Sequence, residues 1–183
     1  MTDIPDTEIN LQAFVASIVS SIGAAFPTLQ TVEAYDPERG EFALPALFLR
    51  IDDMEGVPED DPGTSQLALL VRFEAFLILG FRSPSALLNA PAMAAAIAHH
   101  AHMQRWGHPV RPAEVTLVEP DEFTPELDRF VVWRVDFQHL IHVGESIWTN
   151  DGTIPTQVLA SWAPKIGPAN ESEYVDIEEL GGP

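Results

Sequence analysis

A group of histidines near position 100 has a spacing that could bind a metal ion. His99 and His102 are three residues apart and therefore share a face of any helix that contains them. Imidazole nitrogens at that spacing can chelate zinc. The spacing indicates no third ligand, because His139 and His142 fall on opposite faces of a predicted strand. A solvated helix face explains the group more simply, and we predict no metal site; its members are His99, His100, His102 and His108.

A second set of potential ligands is the run of acids between positions 52 and 61. Calcium needs many oxygen ligands, and carboxylates supply them. The run lacks the Asp-x-Asp-x-Asp-Gly order of a calcium loop and carries Pro58 between its acids. We therefore interpret it as belonging to a solvated loop over 53–65 that joins two strands.

The sequence contains none of the common catalytic motifs. There is no Gly-x-Ser-x-Gly elbow, Walker loop, dinucleotide-binding glycine motif or His-Glu-x-x-His motif. Aspartate, histidine and serine are present but dispersed, which does not predict a triad. The lack of cysteine excludes thiolate chemistry and zinc–thiolate sites. We predict that the protein is not an enzyme and has no cofactor.

The charge is the strongest signal in the composition. Nine basic residues against 28 acidic ones give a formal net charge of −19. This balance argues against binding nucleic acid through its phosphates, which requires clustered lysine and arginine. It is compatible with simple solubility, with a basic protein partner, or with a surface that DNA passes without adhering.

Two long segments alternate between apolar and polar side chains, as strands with one face in a core do. In 131–143 the alternation is interrupted only by His139, and the segment is longer than most strands. In 67–81 the same alternation places Arg72 and Glu74 on the polar face. The apolar face of 131–143 carries Val131, Trp133, Val135, Phe137, Ile141 and Val143.

Helices and shorter strands complete the predicted fold. Residues 7–26 form an amphipathic helix that Pro27 ends. A second helical stretch starts at Ser83-Pro84, has a kink or a second start near Asn89 because of Pro91, and continues as an Ala-rich helix over 92–106. Shorter strands are predicted at 31–35, 45–52 and 114–119. The order predicts an α+β fold: a mostly antiparallel sheet built from two hairpins, two helices packed on one face, and an extended C-terminal tail.

The predicted domain organisation is one α+β domain over 1–144 and an acidic tail over 145–183, partly packed on the domain. The N-terminus shows no basic segment followed by an apolar run, and no apolar stretch suits a membrane span. We therefore expect a soluble protein made inside the cell, without membrane contact.

The order of elements and two short segments resemble the tail terminator proteins of tailed phages, in particular Mu-like prophage tail proteins of similar size. The segments are the closing run 133–144 and the tail segment 163–174. A Pro-containing strand at 44–48 between the leading helix and the first hairpin belongs to the same likeness. The resemblance covers the architecture of 7–144 and the short tail motif.

The resemblance implies a structural virion protein without catalysis. Such proteins form a ring, usually of six subunits, that caps the tail tube, ends its polymerisation and meets the head–tail connector protein. The implied partners are copies of itself, the tail tube protein and the connector, with DNA passing the lumen without specific binding. The implied location is the virion tail, assembled in the host cytoplasm.

Four charges on the polar faces of the long strands are candidate subunit contacts, because complementary charge suits an interface between copies. Pairing across strands within one chain explains them equally well. The candidates are Arg72, Glu74, Arg134 and Asp136.

Two functions from other classes remain open. The first is an acidic DNA mimic that occupies a basic nucleic-acid-binding protein. Its acids should cover one surface, whereas the acids here concentrate in loops and the tail. The second is a small ligand- or metal-binding module that uses the His99 and His102 group, which would need a convergent pocket.

Overall fold

The computed structural model describes residues 8–38, 41–80, 86–121, 130–147 and 157–177. The chain divides into two compact units, one within Ile4–Trp148 and a smaller one within Thr149–Pro183. The larger unit is an α+β fold with a mostly antiparallel sheet, which confirms the predicted fold class. Its elements are α1 (Leu11–Ala25), β1 (Thr31–Ala34), β2 (Ala46–Gly56), β3 (Leu67–Gly80), α2 (Ala86–Ala101), β4 (Glu114–Pro120) and β5 (Phe130–Val143).

The sheet has five strands in the order β1-β2-β3-β5-β4. β2 and β3 form the first predicted hairpin, and β4 and β5 pair antiparallel as the second. The two longest strands, β3 and β5, pair along their full 14 residues at the centre. Among the strands that the structure describes, only β1 runs parallel to its neighbour, with Thr31–Ala34 beside Ala46–Leu49.

Both helices pack on one face of this sheet. α1 begins at Asn10, whose side chain accepts a hydrogen bond from the Ala13 N–H at 3.0 Å and so satisfies one free donor of the first turn. Its apolar stripe points Phe14, Ile18 and Ile22 inward, all fully buried. This face forms the main core.

Aromatic rings form the centre of that core. Phe73 and Phe137 are direct partners across β3 and β5, and their rings stack at 5.3 Å. The ring of Phe14 meets Phe73 edge-on at 5.9 Å, which joins α1 to the sheet. Truncating one of these buried rings to alanine costs about 3–5 kcal/mol.

The second helix ends five residues earlier than its apolar pattern predicts. α2 is one helix that contains Pro91 and stops at Ala101, whereas the sequence favoured continuation to Trp106. Met103 and Trp106 have positive φ angles of 64° and 55°. This left-handed backbone breaks the helix and turns the chain back, so that the Met103 N–H donates to the Ala113 carbonyl.

The other face of the sheet is apolar at one end and charged in the middle. Phe48, Phe76, Ile78 and Val132 are buried there in a second cluster, with Phe42 packed against Phe48 at 5.0 Å. Beyond this cluster the same face carries arginines and carboxylates.

The smaller unit has its own short elements within 157–177. β6 (Leu159–Ala160) pairs antiparallel with β7 (Val175–Asp176), and a 3₁₀ segment over Pro168–Glu173 precedes β7. Lys165 forms an ion pair with Glu173 at 2.6 Å. The described part of the tail is therefore a small β-ladder with a helical turn.

Candidate functional site

The four predicted contact residues all lie on the charged face of the sheet. Register places Glu74 of β3 directly opposite Asp136 of β5, so two carboxylates face each other. Arg134 is opposite Phe76, and Arg72 is opposite Gln138. Like charges in direct opposition destabilise a sheet unless cations lie between them.

One guanidinium supplies much of that compensation. Arg134 contacts three carboxylates: Nη1 is 3.3 Å from Glu74, Nη2 is 2.8 Å from Glu119, and Nε is 3.1 Å from Asp136. Arg50 of β2 approaches Glu74 from the other side, with Nε 2.5 Å from Oε2. The side chain of Glu74 is only 8% exposed, so these two arginines neutralise a buried carboxylate.

Asp136 is the least well compensated group of the cluster. Burial raises its pKa to about 6, Arg134 opposes that change, and the nearby charge of Glu74 adds to it. Within the described residues, Asp136 Oδ1 and Arg134 Nε are buried without an aligned hydrogen bond, although they are 3.1 Å apart. Ionising Asp136 therefore costs more free energy in the folded chain than ionising an ordinary aspartate.

Arg72 belongs to a separate and more exposed group at the edge of β2. Its guanidinium donates to both Asp53 oxygens, at 2.9 and 2.7 Å, and to Glu55 at 2.8 Å. These bonds, to Glu55 and then Asp53, raise the pKa of Arg72. The side chain is 39% exposed, so it is the most accessible of the four candidates.

The sequence pattern predicted the face of each candidate but missed most of their partners. Arg50, Asp53, Glu55 and Glu119 complete the two clusters, and none was singled out. Arg50 could have been found, because it shares a face with Asp52 of the predicted strand pattern and neighbours Glu74 once the hairpin is paired. Asp53 and Glu55 could not, since β2 continues to Gly56 through residues predicted as loop.

The histidines connect elements of the fold rather than converging on one point. The buried His139 accepts from the Trp106 indole N–H at 2.9 Å through Nε2, which leaves the proton on Nδ1 to be donated to the Arg111 carbonyl at 2.9 Å. Burial lowers the pKa of His139, and the Arg111 bond opposes this. His139 is therefore a neutral structural histidine within the apolar face of β5.

Two serines of α1 contact two half-buried histidines. Ser17 and Ser21 are one turn apart, and their hydroxyls lie 2.9 Å from His108 Nε2 and 3.2 Å from His100 Nε2. Ser17 also donates to the Ala13 carbonyl at 2.9 Å. A serine–histidine pair needs a third group to orient the imidazole, and the described residues place no carboxylate on His108. The two pairs join α1 to α2 and to the segment that follows α2.

His99 and His102, the possible metal ligands, are both exposed. Among the described residues, no group of three or more histidine, cysteine or acidic side chains is arranged to hold a metal ion. Within the same residues, no helix has the length and apolar composition that crossing a membrane requires.

In comparisons with known proteins, no family model and no curated protein matches the chain.

Proposed function

We propose that this protein is a structural virion component that caps a phage tail tube as a ring, usually of six copies. The ring would end polymerisation of the tube and form the tail side of the head–tail junction. Its partners would be the tail tube protein, the connector protein and copies of itself. It would work in the virion tail after assembly in the host cytoplasm, and it would have no catalytic role.

The observation that carries this proposal is the arrangement of the sheet. Both helices cover one face, while the second face keeps a charged middle on which Arg72 is partly exposed. Such surfaces support contacts between copies in a ring, in which different patches of each copy meet. The element order agrees with the family resemblance of the sequence.

The net charge supports the same role. A lumen that DNA must traverse should not hold phosphates, and a formal charge of −19 makes adhesion unfavourable. The charge also opposes association of identical copies. Ring formation should therefore strengthen with salt until the repulsion is screened.

Among the proposed contact residues, Arg72 is best placed to act between copies. Its carboxylate partners Asp53 and Glu55 are themselves exposed, so they could be shared with a neighbouring chain. Glu74, Arg134 and Asp136 are engaged within the chain, and we propose that they stiffen the face behind Arg72. Surface pairs of this kind contribute about 0–1 kcal/mol each to stability, which leaves them free to exchange.

Light scattering across protein and salt concentration tests this proposal. We expect a species six times the 20.1 kDa mass of the chain to appear as concentration and salt rise. Arg72→Gln should raise the concentration needed for assembly several-fold. The exposed Arg105→Gln makes the same charge change away from the sheet and should leave assembly unchanged. Equal effects of both variants would argue against the assigned interface.

One observation favours the DNA mimic as a second candidate. Asp52, Asp53 and Glu55 follow one another along the end of β2, and each side chain is about half exposed. A basic DNA-binding protein could accept such a row in place of phosphates. Binding that added duplex DNA reverses would support the mimic and would not be expected of a tail ring.

A further inference from the structure

The outer edge of β2 is only partly covered. β1 pairs with Ala46–Leu49, and a last hydrogen bond joins the Tyr35 N–H to the Leu49 carbonyl at 2.7 Å. From Arg50 to Gly56, no described strand pairs with β2 on this side. Backbone groups at an open edge can bind another strand.

An apolar groove lies beside that open edge. Its volume is about 480 Å³, and it runs between the first half of α1 and the place where β1 stops. Ile51 of β2 forms part of its floor, and the exposed Met54 follows on the same face of the strand. The remaining apolar walls are Leu11, Val15, Ala16, Val19 and Ala34.

The opposite side of the same edge is acidic. A bulge between Ile51 and Asp53 turns both Asp53 and Glu55 onto the charged face. Asp52 lies at the bulge itself and is 47% exposed, with Arg50 at 3.9 Å. An added strand would thus meet apolar groups on its helix side and carboxylates on the other.

We propose that this edge binds an extended segment of a partner protein, in which apolar residues alternate with lysine or arginine. The segment adds to β2 as a strand, in line with β1. Because side chains of a strand alternate between faces, its apolar residues enter the groove while its basic residues meet Asp52, Asp53 and Glu55. Backbone bonds to Arg50–Gly56 provide affinity, and the two faces provide specificity.

The chain itself does not supply such a segment. It has nine basic residues, and no two of them are two positions apart. Two copies, each with a formal charge of −19, would also bring acid against acid at this edge. The occupant is therefore a chain of different sequence.

Protection against aggregation explains the charges and the bulge at this edge, but it does not explain the apolar groove. Sheets often carry charges and bulges on open edges, because both discourage unwanted pairing. An apolar groove beside the edge has the opposite effect, because burying its surface favours the binding of an added strand. The groove is what distinguishes a binding site from a protected edge.

A synthetic peptide of alternating valine and lysine, seven residues long and capped at both ends, tests this inference. Fluorescence anisotropy of the labelled peptide at 0.15 M salt should show saturable binding to the full chain. Two control peptides separate strand addition from charge attraction: one has its central valine replaced by proline, and one has its valines in a block. Both should bind at least tenfold more weakly.

Matched variants locate the site. Ala16→Trp fills the groove from an exposed position of α1 and should weaken binding of the valine–lysine peptide at least tenfold. Ala24→Trp places the same ring on an exposed position of the same helix outside the groove and should have no effect. Amide exchange of Ile51–Gly56 should slow when the peptide is bound.

Three results would overturn the inference: no saturable binding, equal binding of the proline peptide, or equal binding by the Ala16→Trp and Ala24→Trp variants. This inference does not depend on the proposed ring. A chain that assembles into rings but ignores the peptide refutes the docking site alone, and a monomer that binds the peptide refutes the ring alone.

Discussion

The Glu74 and Asp136 carboxylates face each other across the central strand pair with two guanidiniums beside them. Arg50 and Arg134 both reach Glu74, whereas Asp136 has, among the described residues, only Arg134, at 3.1 Å. One arginine shared among three carboxylates cannot satisfy all of them. Asp136 is consequently the carboxylate of this cluster whose protonation removes an incompletely compensated negative charge.

Asp136→Asn should stabilise the protein at neutral pH. Because burial raises the pKa of Asp136 to about 6, the folded chain holds this proton more tightly than the unfolded chain does. Stability from this group is therefore present below the ordinary carboxyl pKa and is lost as the pH rises through about 6. We expect a gain of about 1–2 kcal/mol in the free energy of unfolding at pH 7.5, and almost none at about pH 3, measured by urea denaturation.

Asp52→Asn serves as the control. It makes the same change in charge on a half-exposed side chain near Arg50 and should alter the unfolding free energy by less than about 0.5 kcal/mol. Destabilisation of Asp136→Asn at pH 7.5 would mean that the ion pair with Arg134 outweighs the cost of burial.

At the scale of residues, the sequence predicted on which strand face each charged side chain lies, but not which side chain it pairs with. Alternation alone places Arg72, Glu74, Arg134 and Asp136 on one side of the sheet, as observed. Which charge meets which depends on strand register and on the bulge at Asp52, and no local pattern specifies either. Arg72 consequently pairs with β2 rather than with the acid of β5.

At the scale of elements, His139 ties β5 to the chain that follows α2. It is the one polar residue on the apolar face of that strand, and it lies against Trp106 and Arg111. Both bonds require the neutral ring with its proton on Nδ1. Adding a proton to Nε2 would break the bond from Trp106.

His139→Phe should cost about 2–4 kcal/mol at pH 7.5, because it leaves the buried Trp106 N–H and the partly buried Arg111 carbonyl without their partner. Since burial lowers the pKa of His139, its stabilising effect is present above the ordinary histidine pKa and is lost as the pH falls below it. The difference between wild type and variant should therefore shrink between pH 7.5 and 5.5 in thermal denaturation.

His102→Phe is the matched control, because this histidine is exposed just beyond α2. It should change the free energy of unfolding by less than about 0.5 kcal/mol. A difference for His139→Phe that stays constant with pH would contradict the neutral role assigned to that ring.

The strands were more predictable than the helix ends. Period-two alternation predicted β3 and β5 nearly to the residue, because each has one face in the core. The predicted end of α2 was wrong by five residues. Met103 and Trp106 adopt a left-handed backbone conformation, which residues with side chains do not favour. Contacts of Trp106 with His139 and Phe137 hold that turn, and they join positions far apart in sequence.

At the scale of the whole molecule, a well-packed α+β unit carries an acidic exterior. A core of this size is large enough for a chain without cysteine to fold without disulfides. The charge explains why association of copies must overcome repulsion, and why a basic partner suits the edge of β2. Composition predicted the charge, whereas the groove beside β2 depends on where β1 stops and could not be predicted.

Electron microscopy of tail tubes tests the proposed function most directly. The purified chain would be added to tubes that lack a terminator and are built from the tube protein of the same phage. We predict one ring at one end of each tube and no further growth when free tube protein is supplied. Tubes that stay bare and keep growing would contradict the account.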